Sequence, residues 1–115
     1  MNEEIETIFE NFIVDGIKIP IAFIKYFGKA ETYLTYQSIG NDPTLASDDV
    51  TIYSLDSIDI DIYTKGNYLN IIKEIKNKML ANEFVWDGDS PDMYEQDTGY
   101  YHKTISFVKE YYERR

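Results

Sequence analysis

Residues 57–63 alternate strictly between polar and apolar side chains, and this alternation constrains the fold more than any other stretch. Successive side chains of a β-strand point to opposite faces of a sheet, so the apolar residues line one face and the acidic residues the other. The apolar set is Ile58, Ile60 and Ile62, and the acidic set is Asp59 and Asp61. The pattern predicts a strand in a sheet that is covered on one side only.

A helix over residues 67–82 is predicted to cover that apolar face. Its apolar side chains recur at spacings of four, three and four residues, which places them on one stripe of a helix. The stripe consists of Tyr68, Ile72, Ile75 and Met79. We expect the side-chain oxygen of Asn67 to cap the first turn and Asn82 to end the helix in a left-handed turn.

The N-terminal segment predicts a second amphipathic helix, over residues 2–12. Its apolar residues fall at i, i+3, i+4 and i+7, again one helical face. They are Ile5, Ile8, Phe9 and Phe12. Asp15-Gly16 follows between two apolar runs, and it indicates either a hairpin turn or a helix end with a tight turn.

Further segments complete the predicted sheet and its connections. Residues 32–38 and 100–108 are rich in Tyr, Thr and apolar side chains and predict strands. Residues 40–50 are small, acidic and aperiodic, so they predict a loop. Leu45 alone cannot anchor that loop against an ordering entropy of roughly 1–2 kcal/mol per residue, so we expect it to be mobile in an isolated subunit. Residues 109–115 are expected to be a strand extension or a loose C-terminal tail.

Together these elements predict one α+β domain over residues 1–115. Its centre is a single, mainly antiparallel sheet with one long helix packed on one face and an N-terminal helix. We find no internal repeat and no linker in the sequence.

Composition excludes several classes of protein. The formal net charge is −10, and a duplex-binding protein gains most of its affinity from cations on phosphates, so direct DNA binding is disfavoured. The absence of Cys excludes disulfides and thiolate metal sites. No apolar run approaches the roughly 20 residues that cross a bilayer, and the acidic start lacks the basic region of a signal peptide. We therefore expect the protein to be made and kept in a cytoplasm.

Two acidic motifs suggest chemistry, and each has a simpler interpretation. Asp97-Thr98-Gly99 matches the aspartic-protease tripeptide, but that mechanism needs two carboxylates that share a proton in a buried site, and a polar hairpin turn is favoured. Residues 87–92 carry three aspartates as a calcium loop does, yet Pro91 and Thr98 stand where such a loop needs a ligand and a glutamate. A solvated turn is the default, with a weak surface cation site as the alternative.

No other constellation predicts an active site. Asp59 and Asp61 share a strand face, as a hydrolase pair would, but nothing beside them indicates a pocket. His102 is the only histidine, so it cannot build a multi-histidine metal site, and no Ser or Cys motif accompanies it. A glycine-rich phosphate loop is also absent. We therefore expect no catalytic, cofactor-binding or metal site, and an interaction protein.

The order of elements between residues 30 and 108 forms a specific pattern. A Tyr-rich strand at 33–36 precedes the loop at 40–49, the one-sided strand and turn at 58–67 precede the helix to Leu80, and segments 92–95 and 97–105 close the pattern. This order resembles the tail terminator or tail-completion proteins of long-tailed phages and prophages. The family has no catalytic motif, so the resemblance transfers no functional site to individual residues.

The resemblance implies a ring-forming virion component. Such proteins sit on the last ring of the tail tube, stop its growth and present a surface to the head connector. The implied partners are copies of the same chain, in a ring that is a hexamer in the virion with a monomer possible in solution, together with the tail tube protein and the head connector protein. The implied location is the host bacterial cytoplasm during assembly and then the neck of the virion.

Leu45, Asp48, Asp49, Asp59 and Asp61 are the residues that we predict to contact other subunits or partners. A mobile loop that orders on a neighbour would delay ring closure until a tail tip is present. The alternative is an ordinary surface loop on a permanent monomer. Two other functions stay open: another small head-tail connector or minor tail component, and a small bacterial hydrolase or regulator unrelated to phage.

Overall fold

The computed structural model describes residues 2–45 and 51–114. Their elements in chain order are α1 (Asn2–Ile8), β1 (Ile13–Val14), β2 (Ile17–Lys18), β3 (Ile21–Phe23), β4 (Thr32–Leu45), β5 (Thr51–Thr64), α2 (Leu69–Ala81), β6 (Val85–Asp89), β7 (Met93–Glu95) and β8 (Tyr100–Arg114). The main sheet has the order β3-β4-β5-β8-β6, and β7 also pairs with β8. Every pairing in it is antiparallel except that of β3 with β4. The predicted class, α+β with a mainly antiparallel sheet and two helices, is confirmed within this part of the chain.

A second, two-stranded sheet is formed by β1 and β2, so the prediction of a single sheet is wrong. Asp15 and Gly16 have φ angles of +52° and +79°, which suits a two-residue turn between twisted strands. The strands are too short to extend the main sheet. Instead, Asn70 of α2 donates a hydrogen bond of 3.0 Å to Asp15, which fastens the hairpin to the start of that helix.

The hydrophobic core lies between β5 and the two helices. Ile58, Ile60 and Ile62 are buried on one face of β5, as the alternation predicts. The helix α2 contributes three buried residues, which are Ile71, Ile75 and Met79. The same cluster includes the four apolar residues predicted for the N-terminal helix, which are Ile5, Ile8, Phe9 and Phe12. Both helices therefore pack on the apolar face of the sheet.

The ends of α2 differ from the prediction by one or two residues. Tyr68 occupies the N-cap position, and Asn67 caps from one residue earlier because its Oδ1 accepts from the Leu69 amide at 2.9 Å. At the other end the left-handed residue is Glu83, with φ of +71°, rather than Asn82. The amides of Glu83 and Phe84 donate to carbonyls at positions 80 and 79, the hydrogen bonds of a Schellman motif. Burial of Phe84 in the core holds this ending in place.

The first helix is also shorter than predicted, ending at Ile8 rather than at residue 12. Asn11 has a φ of +55°, which the regular α-helix does not allow, so the chain turns there. Phe9 and Phe12 still reach the core because tight turns replace the last helical turn.

The long strands β4, β5 and β8 continue well beyond the predicted limits. Residues 40–45, expected to be loop, continue β4, and they pair with β5 from Gly40↔Ser57 to Leu45↔Ile52. Pro43 fits because β3 covers β4 only as far as Tyr36, and proline is tolerated on an edge strand. Residues 46–50 lie outside the described residues. At the C-terminus, residues 109–114 belong to β8 rather than to a loose tail, because each pairs with β5.

A contact between the first helix and the last strand closes the structure. Lys109 and Tyr111 of β8 donate hydrogen bonds of 2.5 and 2.6 Å to the two carboxylate oxygens of Glu4. Burial by itself raises the pKa of Glu4, but these two hydrogen bonds outweigh it and bring the pKa below its ordinary value of 4.5.

We predict that Ile60→Asp prevents folding, because an unpaired buried carboxylate costs several kcal/mol. Ile60 has no exposed surface and stands at the centre of the core. Circular dichroism and urea unfolding measure the effect. The matched control is Ile13→Asp, the same substitution at an exposed strand position, which should fold normally. A cooperative Ile60→Asp variant of unchanged stability would contradict the packing described here.

We predict that Glu4→Gln lowers the free energy of unfolding by about 1 kcal/mol at neutral pH, once solvent screening is allowed for. The folded-state pKa of Glu4 lies below 4.5, so its contribution is complete above pH 4.5 and is lost as the pH falls further. Urea unfolding of wild type and variant across this range measures the difference. Glu3→Gln, at an exposed neighbour, is the control and should leave the free energy of unfolding at neutral pH nearly unchanged. A difference between wild type and Glu4→Gln that persists in acid would contradict the role of Glu4.

Candidate interaction surface

The face of the main sheet that points away from both helices, here called the outer face, carries three rows of side chains across β4, β5 and β8. The register aligns these rows as Tyr33–Tyr63–His102, Thr35–Asp61–Thr104 and Gln37–Asp59–Ser106. The first row is aromatic, and the other two each have an aspartate in the middle. This face contains the two aspartates that we predicted as contact residues.

The aromatic row is a continuous stack. The ring centres of Tyr33 and Tyr63 lie 4.9 Å apart and those of Tyr63 and His102 lie 4.2 Å apart, with interplanar angles of 17° and 14°. Tyr26 extends the stack at 4.5 Å from Tyr33. Because the inner rings, Tyr33 and Tyr63, are covered by a neighbouring ring on both sides, their flat faces are not available to stack with a base or a sugar. Burial, and then the nearby Asp61 carboxylate, raises the pKa of Tyr63 to about 12, so its hydroxyl stays protonated at physiological pH.

The two aspartates are satisfied inside the sheet. The Oδ1 atom of Asp61 accepts a hydrogen bond of 2.5 Å from Thr104 and lies 3.0 Å from Nε2 of His102. Asp59 accepts from Ser106 at 2.7 Å. The side chain of Asp61 is only 14% exposed. Both carboxylates therefore join β5 to β8, and Asp61 in particular presents little surface to a partner.

The remaining predicted contact residues lie at the end of β4 or outside the described residues. Leu45 is the last residue of β4 and pairs with Ile52. Asp48 and Asp49 lie outside the described residues. The structure therefore places Asp59 and Asp61 together on the outer face and does not bring Leu45 to them.

The segment between β3 and β4 is part of the outer surface, and the sequence pattern did not reveal it. The Tyr26 ring lies against Gly28, where an added Cβ would come within 2.0 Å of the Tyr26 hydroxyl. The Ala30 amide donates to that hydroxyl at 3.2 Å, and Tyr100 of β8 donates to the Ala30 carbonyl at 3.2 Å. The available sequence signal for the aromatic row was that Tyr33 and Tyr63 both occupy strand positions that point to the outer face. That signal can be interpreted only once the register of the two strands is known.

The acidic motifs have structural partners. Asp97-Thr98-Gly99 forms an exposed turn in which Gly99 has a φ of +78° and Thr98 donates to Glu95. Asp89 accepts from the Trp86 indole and lies 3.5 Å from Lys76, whereas Asp92 accepts from Tyr68 and Lys103. Within residues 2–45 and 51–114, no group of three His, Asp or Glu side chains is placed to hold a metal ion.

A cleft of about 290 Å³ lies between the β1–β2 hairpin and the start of α2. Its apolar lining includes Val14, Ile19 and Ile71. Its polar lining consists of Asp15, Glu31, Thr32, Thr64, Lys65 and Asn67. The hydroxyls of these two threonines lie 2.8 Å apart and bond to each other.

Compared with known proteins, the chain matches no family model and no curated protein sequence. Neither of the helices in the described ranges has the length and hydropathy of a membrane span.

We predict that Thr104→Val destabilises the protein by about 1–2 kcal/mol, because it removes a hydrogen bond to a partly buried carboxylate. Urea unfolding measures the loss. In a double-mutant cycle with Asp61→Ala the combined loss should be smaller than the sum of the two single losses, because each change removes the same hydrogen bond. Thr98→Val is the control: it removes hydrogen bonds in an exposed turn, where water can replace them, and should destabilise the protein less than Thr104→Val. Fully additive effects of the two substitutions would mean that Asp61 and Thr104 do not interact.

Proposed function

We propose that this chain is a phage or prophage virion assembly protein, a tail terminator or tail-completion protein. In this role it forms a ring, a hexamer in the virion, at the end of the tail tube and joins the tube to the head connector. The proposal rests on the resemblance in element order. The observation that best supports it is the long three-stranded part of the sheet beyond the helix-covered core.

The lengths of the elements define this extension. The strands β4, β5 and β8 contain 14, 14 and 15 residues, and the helix α2 contains 13. At about 3.3 Å per strand residue and 1.5 Å per helix residue, the strands run for more than twice the length of the helix. The molecule accordingly measures 53 Å along its longest axis and 26 × 24 Å across it. A sheet that outruns its covering helix suits a subunit that is completed by neighbours.

Both edges of this extension lack a strand partner within the described residues. β3 pairs with β4 only at residues 34–36, so β4 has no outer neighbour from Gln37 to Leu45. On the other side, β6 pairs with β8 as far as Val108, and the strand continues to Arg114 paired only with β5. Open strand edges readily pair with another chain, which is a common basis of assembly.

The charge fits a templated assembly. A net charge of −10 per subunit opposes association in dilute solution, and contacts on a tube end can compensate for that repulsion. The same charge leaves DNA free to pass through a ring without being trapped. We therefore propose further copies of the chain, the tail tube protein and the head connector protein as partners, with no direct nucleic-acid binding, no membrane contact and no enzymatic activity.

The test is binding to isolated tail tubes, seen by negative-stain electron microscopy. We expect wild-type protein to form a ring at one end of each tube. A variant that lacks residues 42–45 and 52–55 shortens both strands in register, and should fold but occupy tube ends at least about tenfold less, as expected when an edge of several paired residues is removed.

The matched control is Lys73→Ala, which changes an exposed residue of α2 and should leave the occupancy of tube ends unchanged. Wild-type protein that does not bind tube ends would contradict the proposed function. Normal binding by the shortened variant would instead exclude the extension from the contact.

A further inference from the structure

The two opposite edges of the main sheet carry complementary surfaces. β3 lies at one edge, and β6 and β7 lie at the other, where they pair with successive parts of β8 on the side away from β5. We define the β3 edge as residues 23–29 and the β6–β7 edge as residues 83–97. Each exposes large apolar side chains, which are Phe23, Ile24 and Phe27 at the β3 edge and Val85, Trp86, Met93 and Tyr94 at the β6–β7 edge.

The charges of the two edges are opposite. The β3 edge contains two lysines, Lys25 and Lys29, and no acid, whereas the β6–β7 edge contains six acids and no base. Lys25 and Lys29 form no ion pair with any other described residue, and Lys25 lies 5.3 Å from the centre of the Phe27 ring. At the other edge, Lys76 and Lys103 pair with Asp89 and Asp92. Four acids of this edge are then left without a lysine among the described residues, which are Glu83, Asp87, Glu95 and Asp97.

The backbone at the β3 edge is held in an unfavourable conformation that presents this surface. Ile24 has a φ of +65°, which is rare for a β-branched residue. It is the central residue of a three-residue turn, in which the Lys25 amide donates a hydrogen bond of 2.7 Å to the Phe23 carbonyl. Ile24 is nevertheless 60% exposed and Phe27 is 85% exposed. Strained residues of this kind concentrate at functional surfaces. Here the strain serves to turn apolar side chains towards solvent.

We propose that the β3 edge of one copy packs against the β6–β7 edge of the next copy, so that the apolar side chains meet and the lysines face the acids. Contact of either edge with its own kind would set lysine against lysine or acid against acid. A contact between two different surfaces is heterologous, and it closes into a ring when the rotation between copies permits. The inference rests on the proposed function for its role in a ring, and it names the surfaces that form that ring.

The molecule already contains an example of the contact that the interface requires. The Lys76 ammonium lies 4.4 Å from the centre of the Trp86 ring and 3.5 Å from an oxygen of Asp89. A lysine is thus held at the β6–β7 edge by an aromatic ring and a carboxylate together. In the proposed contact, Lys25 or Lys29 of a neighbouring copy meets an equivalent combination there, the exposed Tyr94 ring and the acids that no lysine of the described residues pairs with.

The test uses two charge-reversal variants, read out by sedimentation velocity and by the fluorescence of Trp86, the only tryptophan. The first variant carries Lys25→Glu and Lys29→Glu, and the second carries Asp87→Lys and Asp97→Lys. All four positions are exposed, so both variants should fold. At high protein concentration wild type should associate. Each variant alone should associate more weakly, by about tenfold or by a larger factor. An equimolar mixture of the two variants should recover association. The reversed β3 edge of the first variant pairs with the reversed β6–β7 edge of the second, and the two unreversed edges pair with each other.

The second variant distinguishes the effect of a specific interface on association from the effect of net charge. It lowers the net negative charge, so if general repulsion controlled association, this variant would associate more strongly than wild type. A control with Glu3→Lys and Glu10→Lys makes the same change in net charge outside both edges, and should not weaken association.

The outcomes are distinct. Unchanged or stronger association of the second variant, a mixture that stays as weak as its components, or wild-type protein that remains monomeric at high concentration would each overturn the proposal. The proposed function is tested separately on tail tubes. If both variants still cap the tubes, the interface is excluded and the function is retained. If the edges associate but the protein does not cap tubes, the function is excluded and the interface is retained.

Discussion

The structure depends on the burial of three isoleucines of β5 against α2. Ile58, Ile60 and Ile62 have almost no exposed surface, and β4 and β8 pair with their strand on both sides. Each buried side chain of this size contributes roughly 1.5–3 kcal/mol. No other strand in the described residues is paired along its whole length on two sides. The helices, the outer strands and the polar face are all positioned relative to this strand.

The sequence predicts this centre well because the necessary signals are local. Alternation in β5 and helical spacing in α2 each identify a buried face without knowledge of the rest of the chain. Residues 40–45 were predicted wrongly for the opposite reason. Their Gly, Asn, Asp and Pro side chains favour a turn locally, but pairing with the distant residues 52–57 holds them in a strand. The aromatic stack depends on the same non-local register, since Tyr33, Tyr63 and His102 come from three separate strands.

The outer face and the edges of the sheet have different roles. On the outer face, the rings stack on one another and the aspartates bond to β8, so the polar groups are already satisfied. At the edges, strand backbone lacks neighbouring strands within the described part of the chain, and apolar side chains and charges that form no ion pair there face solvent. Predicting Asp59 and Asp61 as contact residues followed from their apparent exposure on a strand face. Charge segregation between residues 23–29 and 83–97 was visible in the sequence, but only the strand order places these segments at opposite edges.

Hydrogen exchange, measured by mass spectrometry on the free chain and on the chain bound to tail tubes, tests most directly whether the sheet edges are completed by neighbours. In the free chain, residues 58–62 should exchange slowly because both neighbouring strands protect them, whereas segments 37–45 and 109–114 should exchange fast along their open edges. On tail tubes, segments 37–45 and 109–114 should become protected while 58–62 stays unchanged. Equal exchange of these edge segments in the free and bound states would contradict the account.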